Sequence, residues 1–207
     1  MPMIDKILDQ LFLSGALDVY GEAAGEKLQS YKISHVLTLS ISPIPEERQV
    51  DGVSYTFVQM ADNAAQDLIG TNIITDAIIL IDQALKDGGN VLVHSEEGNS
   101  RAPTIVAAFL MQKFKWNAEK ALTYVKMKRP TINPNKGFNE QLRIFATMHF
   151  HIAPRDIVCS SEYRSWRAQQ ANKNLESYMV SPREHHWNAP HHRHHQDDGL
   201  PHVFISE

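Results

Sequence analysis

The segment Val91–Thr104, V-L-V-H-S-E-E-G-N-S-R-A-P-T, constrains this chain more than any other. Asn90–His94 is short and nearly all apolar, the kind of strand that is buried on both faces of a sheet. Glu96, Glu97, Gly98 and Asn99 form a short loop, after which Ala102–Phe114 shows helical spacing of its apolar residues. A loop running from a buried strand into a helix N-terminus points backbone N–H groups inward, and the helix dipole adds partial positive charge there. Such a nest binds phosphate or sulfate without needing side-chain charge. Arg101 closes the loop with a planar, permanently charged fork that can clasp two oxygens of a dianion. A cation at a helix start opposes the dipole unless an anion lies between them. Arg101 is therefore read as a ligand-binding side chain rather than as an ion-pair partner of Asp62 or a glutamate. Gly98 is expected to let the backbone approach closely, and His94 to organise the loop from behind.

Around this unit, β-like runs occupy Ile7–Ser14, His35–Ser40 and Val53–Met60, with a helical pattern at Ala24–Tyr31 between the first two. Ser42–Gly52 carries two prolines and a D-G pair and is expected to be loop. Asp67–Leu85 reads as a helix stopped by Gly88-Gly89, and Asn117–Lys128 and Lys136–Phe150 as helices beyond the signature. Ser160–Asn174 is a last amphipathic helix. Strands interleaved with helices predict an α/β fold. From about Asn174 the chain turns polar and holds seven of its 11 histidines, so residues 175–207 are expected to form a disordered tail. Its H-H pairs permit metal binding without defining a site.

With 207 residues and 43% apolar content, one ordinary domain plus a tail is expected. The net charge of −4 argues against a surface that coats nucleic acid. No apolar run approaches the roughly 18 residues of a membrane span, and the N-terminus lacks the pattern of a signal peptide. The one cysteine, Cys159, permits no intramolecular disulfide. A cytoplasmic setting, extending to the nucleus, is the expectation.

V-H-S-E-E-G-N-S-R resembles the signature His-Cys-x-x-Gly-x-x-Arg loop of the protein tyrosine phosphatase superfamily, with Ser95 at the cysteine position. G-x-S-R resembles the dual-specificity branch. So do the opening strand I-L-D-Q-L-F-L-S-G, the acid-loop segment Met60–Leu68 and K-R-P-T-I-N-P-N-K-G-F-N-E-Q-L at Lys128–Leu142. The resemblance spans roughly Ile4–Phe150. A-D-N, V-L-V-H, G-N-S-R and I-N-P-N-x-G-F together look especially like the STYX-like pseudophosphatases, which also lack the cysteine. The resemblance implies a dual-specificity-phosphatase-like domain over 1–150, with a central mixed sheet flanked by helices. A helical extension over 151–174 and the histidine-rich tail follow. It implies a phosphate cradle at Ser95, Glu96, Glu97, Gly98, Asn99, Ser100 and Arg101, a general-acid position at Asp62, and no cofactor or metal. Asp67 is a second acidic candidate, set aside because the six-residue step from Asp62 to Leu68 matches the family pattern. Asn135 and Gln141 are read as fold-holding residues.

In active members of that family a thiolate attacks phosphorus and an aspartic acid protonates the leaving oxygen. A cysteine's pKa of about 8.5 falls to roughly 3.5–7.5 in such a nest; a serine hydroxyl stays protonated. A phosphoserine, once formed, would have to expel a poor alkoxide leaving group. Ala102 stands where active members usually carry a hydroxyl, and Glu96 and Glu97 would repel a dianion if they turned inward. The leading expectation is a protein that binds phosphorylated Tyr, Ser or Thr of partner proteins without turnover, with neither nucleic acid nor membrane as partner. Two alternatives stay open: an active phosphatase whose cysteine has been exchanged for serine to trap substrate, and a scaffold that does not read phosphate.

Overall fold

Alternation along the strands decides which side of the sheet each residue supports. The computed structural model describes residues 3–180. Its single sheet has five strands, β1 (Asp5–Leu8), β2 (Leu11–Gly15), β3 (Ile33–Ser40), β4 (Ser54–Gln59) and β5 (Asn90–Ser95), in the order β1-β2-β5-β3-β4. Only the β1–β2 pair is antiparallel; β2–β5, β5–β3 and β3–β4 run parallel. Leu11, Leu13, Leu37, Leu39, Val91 and Val93 point to one face, and Phe12, Val36 and Leu92 to the other. The central strand β5 is thus apolar on both sides because both sides are covered.

The larger core lies under α3 (Ile73–Lys86), α4 (Arg101–Phe114), α5 (Ala118–Lys128) and α6 (Lys136–Thr147). Helix α4 is buried along nearly its whole length, from Ala102 to Met111. The smaller core is closed by α1 (Leu17–Tyr20) and α2 (Ala24–Ser30), through Val19 and Leu28. Helices α7 (Pro154–Cys159) and α8 (Ser161–Val180) follow, and α8 docks Tyr163 and Trp166 into the larger core. The expected α/β fold with a helix-flanked mixed sheet is the one observed.

Several boundaries differ from the pattern-based expectation. The run Ile7–Ser14 is two strands, because the chain reverses at Asp9-Gln10. Asp9 alone is a weak turn signal, masked by the apolar residues on either side. The turn is held by contacts distant in sequence, with Gln10 donating to Gly88 O and accepting from Val91 N. Helix α3 starts at Ile73, not Asp67, since the Asp67 carboxylate accepts from the N–H groups of Ile69 and Gly70 and bends the chain there. Asn72 then takes a left-handed conformation, φ 61°. Helix α6 stops at Thr147 because His149 and Phe150 have positive φ. The short helices α1 and α7 have no helical periodicity long enough to read. Helix α8 runs on to Val180, past the expected Asn174. The remaining histidine-rich segment, 181–207, lies outside the described residues.

Candidate phosphate-binding site

Ser95 ends β5 and Arg101 begins α4, so the five residues between them must turn the chain at the carboxyl edge of the sheet. Gly98 makes this turn with φ +70°. A Cβ on Gly98 would lie 2.4 Å from Ser14 O and 2.8 Å from Gly15 N. The close approach that demands glycine here is to the neighbouring strand β2. Ala16 N donates to Glu96 O at 2.9 Å, and Arg129 donates to Glu97 O and Gly98 O, both at 3.0 Å. Three successive carbonyls are thus held by contacts from β2's end and from the segment after α5. Arg129 itself is fixed by Asp5 at 2.8 Å. Sequence reasoning missed it, although Lys128-Arg129-Pro130 opens the family-like segment; its role depends on contacts 31 and 124 residues away along the chain.

The loop borders a cavity of about 540 Å³ lined by Ser95, Glu96, Glu97, Asn99, Ser100 and Arg101 on one side and Asp62, Thr131, Asn133 and Asn135 on the other. Ser95, 2% exposed, lies at its base, and its Oγ accepts from Ala102 N at 3.3 Å. The Arg101 guanidinium donates from one terminal nitrogen to Met60 O at 3.3 Å, while its buried Nε has no acceptor among the described residues. An unmet buried donor is costly, and an oxyanion in the cradle is the natural acceptor. Asp62 is held over the mouth: Ser100 Oγ and Asn135 Nδ2 both donate to its Oδ1, at 2.7 and 2.9 Å. Asn135 also caps α6, its Oδ1 accepting from Phe138 N at 3.0 Å. Read in the sequence as a fold-holding residue, it joins the helix cap to the candidate acid.

Asp67 faces the other way. Its carboxylate accepts from Tyr163 Oη and Arg167, both at 2.6 Å, and ties the acid-loop region to α8. Burial, then the Asp67 carboxylate, push the Tyr163 hydroxyl up to about 12. Gln141, fully buried, accepts from Leu68 N at 2.7 Å and donates to Gln66 O at 2.8 Å. The loop also rests on Gly137, where a Cβ would meet Ala64 O at 1.8 Å. One short stretch, 62–68, is thus anchored by α4's start, α6 and α8.

His94 is 2% exposed and projects away from the cavity, sharing a 2.8 Å hydrogen bond between its Nε2 and Thr38 Oγ1 on β3. Its Nδ1 makes no well-formed hydrogen bond, though the adjoining Ser95 backbone favours the cation somewhat. Burial dominates and, with the Arg101 charge adding to it, lowers the imidazole to about 4. It is neutral at pH 7 and too weak a base to ionise a serine hydroxyl. Glu96 leans toward Tyr20, whose hydroxyl is raised first by burial and then by that carboxylate. Glu97 lies 3.5 Å from Asn99 Nδ2. Both glutamates are exposed and line the cavity wall. Cys159 is exposed at the end of α7, away from the loop. Among the described residues no group of three or more His, Cys, Asp or Glu is arranged to hold a metal ion, and no helix is long and apolar enough to cross a membrane.

The loop, its arginine and the facing aspartate lie within residues 17–148, which match the dual specificity phosphatase catalytic domain. The chain belongs to that family. Among its relatives are dual specificity protein phosphatase 1B of Arabidopsis thaliana, 38% identical over 142 residues, covering 69% of this chain and 81% of the relative. Human dual specificity protein phosphatase 22 is 30% identical over 167 residues, 81% of each. The Drosophila melanogaster protein MPK-4 is 30% identical over 184 residues, 88% of this chain but 45% of that protein. This chain thus spans about half the length of some relatives it matches. Its fold is similar to that of human DUSP28 (27% identity, TM-score 0.64, covering 73% and 97% of the two chains). It is likewise similar to that of the human tyrosine phosphatase-like serine/threonine/tyrosine-interacting protein (30% identity, TM-score 0.61, 72% and 98%).

Proposed function

We propose that this family member is a pseudophosphatase that binds phosphorylated Tyr, Ser or Thr segments of partner proteins in the Ser95–Arg101 cradle and does not hydrolyse them. The observation that carries this reading is Ser95 itself. It sits in the nucleophile position with only the Ala102 N–H on its Oγ, and the nearest imidazole is neutral and bonded to Thr38. Among the described residues no side chain accepts a hydrogen bond from its hydroxyl, while the glycine turn and the unpartnered Arg101 Nε that an oxyanion would satisfy remain. Binding persists in such a site and turnover does not. A cytoplasmic or nuclear location fits a chain with a single, exposed thiol.

Calorimetric titration with a phosphotyrosyl peptide and its unphosphorylated twin tests this. Binding is expected only with the phosphate, and Arg101→Ala is expected to weaken it by about a hundredfold, the scale of losing a charge-paired hydrogen bond. Absence of phosphate-dependent heat overturns the reading and favours a scaffold in which the cradle is a relic. The placement of Asp62 supports a second reading, an active phosphatase whose natural residue 95 is cysteine. Sequencing codon 95 of the native gene decides between the two.

A further inference from the structure

At the far end of α4 from the cradle, aromatic rings and lysines alternate across the junction with α5. Helix α4 has 14 residues, so its C-terminus lies about 20 Å from Arg101 at 1.5 Å per residue. Phe114 stacks on Trp116 at 4.9 Å, and Trp116 tilts onto Tyr124 at 5.4 Å. Lys120 Nζ stands 4.8 Å above the Trp116 ring and Lys128 Nζ 5.5 Å above Tyr124. Lys113 lies over Phe109 and Phe114, and Lys115 over Phe150. None of these four lysines forms an ion pair among the described residues. Residues 101–128 contain six basic side chains and one acidic, Glu119, in a chain whose net charge is −4. Glu119 is engaged by Arg143 at 2.7 Å.

Two blander explanations leave part of this unexplained. Lysines at helix C-termini complement the helix dipole, which accounts for Lys113 and Lys128. It does not account for Lys120, which sits in the first turn of α5 where a cation opposes the dipole. Lysine stems also cover apolar surface, yet Met127 remains 72% exposed and Phe114 40% exposed. Beside them runs a groove of about 450 Å³ lined by the apolar Trp116, Tyr124 and Met127, with Lys120 and the Arg143-paired Glu119 also on its lining.

We propose that this face docks an acidic protein segment that places an apolar or aromatic side chain in the groove and its carboxylates against Lys113, Lys120 and Lys128. Charge complementarity fixes the sign of the occupant, and the concave aromatic floor fixes its need for an anchoring side chain. A polyanionic lattice, whether membrane or nucleic acid, would also meet the rest of a net-acidic chain; a short segment meets only the patch, since charges beyond about 8 Å are screened at physiological salt. The proposal is independent of the cradle.

Panning a random peptide library on the full chain provides the probe. Enriched peptides are expected to combine several carboxylates with one aromatic or large aliphatic residue. They are expected to bind about tenfold more weakly to a Lys113→Glu, Lys120→Glu double variant and equally well to Arg101→Ala. Both lysines are exposed; should the reversed pair fail to fold, Lys113→Gln with Lys120→Gln serves in its place. Absence of acidic-aromatic enrichment, or peptides indifferent to the double change, overturns the proposal. Tighter binding to phosphatidylserine vesicles or to a single-stranded oligonucleotide than to the selected peptides overturns it as well.

Discussion

Buried His94 makes this domain sensitive to mild acid in a way that can be worked out before measurement. An imidazole in an unfolded chain titrates near 6.5, whereas in the folded protein burial lowers His94 to about 4. Between those values the unfolded chain binds a proton that the folded chain refuses, so stability rises with pH across the window. The contribution is fully present above about pH 6.5 and is lost as pH falls toward 4. One pH unit inside the window is worth about 1.4 kcal/mol. Acidifying from pH 7.5 to 5 therefore removes about 2 kcal/mol, and the full window about 3 kcal/mol. For a domain of this size about 2 kcal/mol corresponds to a fall in Tm of about 4–8 °C. Carboxylates titrate over the same range, so the informative quantity is the difference between the native chain and His94→Gln. The glutamine variant loses packing and the Thr38 contact at every pH, but it has no imidazole to protonate. Thermal unfolding followed by circular dichroism at pH 7.5 and pH 5 is expected to show the variant's deficit shrinking by about 2 kcal/mol at the lower pH. An equal fall in Tm for both chains would refute the reasoning and place His94 in a wetter environment than its 2% exposure implies.

Further expectations concern the site and its supports. A Ser95→Cys, Ala102→Ser double change supplies a thiol and a hydroxyl beside it. It is expected to yield measurable hydrolysis of an aryl phosphate, and complete silence would show that more than the nucleophile has been lost. Tyr163→Phe keeps the ring but removes the 2.6 Å hydrogen bond to the Asp67 carboxylate, a loss of about 1.5–3 kcal/mol readable by urea unfolding. Gly137→Ala drives a methyl toward Ala64 O, 1.8 Å from the ideal Cβ position, and is expected to displace the 62–68 loop. Loss of the Asp62–Asn135 contact in its NMR spectrum, with α6 intact, would confirm it.

The parts of the fold carried by periodicity were legible. Strand β5 and helices α4 and α5 follow from apolar spacing and local hydrogen bonding alone, and each stands within a residue or two of expectation. What escaped depended on partners distant in sequence. The β1–β2 turn exists because Gln10 is caught by residues 78 and 79 positions on. Asp67 bends the chain where helical spacing continues through it, since its carboxylate serves the backbone and α8 at once. The same distinction runs through the site. Ser95, Arg101 and Asp62 were candidates because local strings of residues carry them, and they line one cavity. Arg129's grip on the loop carbonyls, the Asn135 bond to Asp62 and the true neighbour of Gly98 emerge only when separate segments meet.

Helix α8 lies beyond the region that matches the family, residues 17–148, yet Asp67 inside that region finds two of its partners there. A cut drawn at the end of family similarity would strand a carboxylate that is mostly buried, five residues from the candidate acid. The helix therefore works as a splint for the 62–68 loop, holding by its far end, Asp67, the segment whose near end presents Asp62 to the cradle.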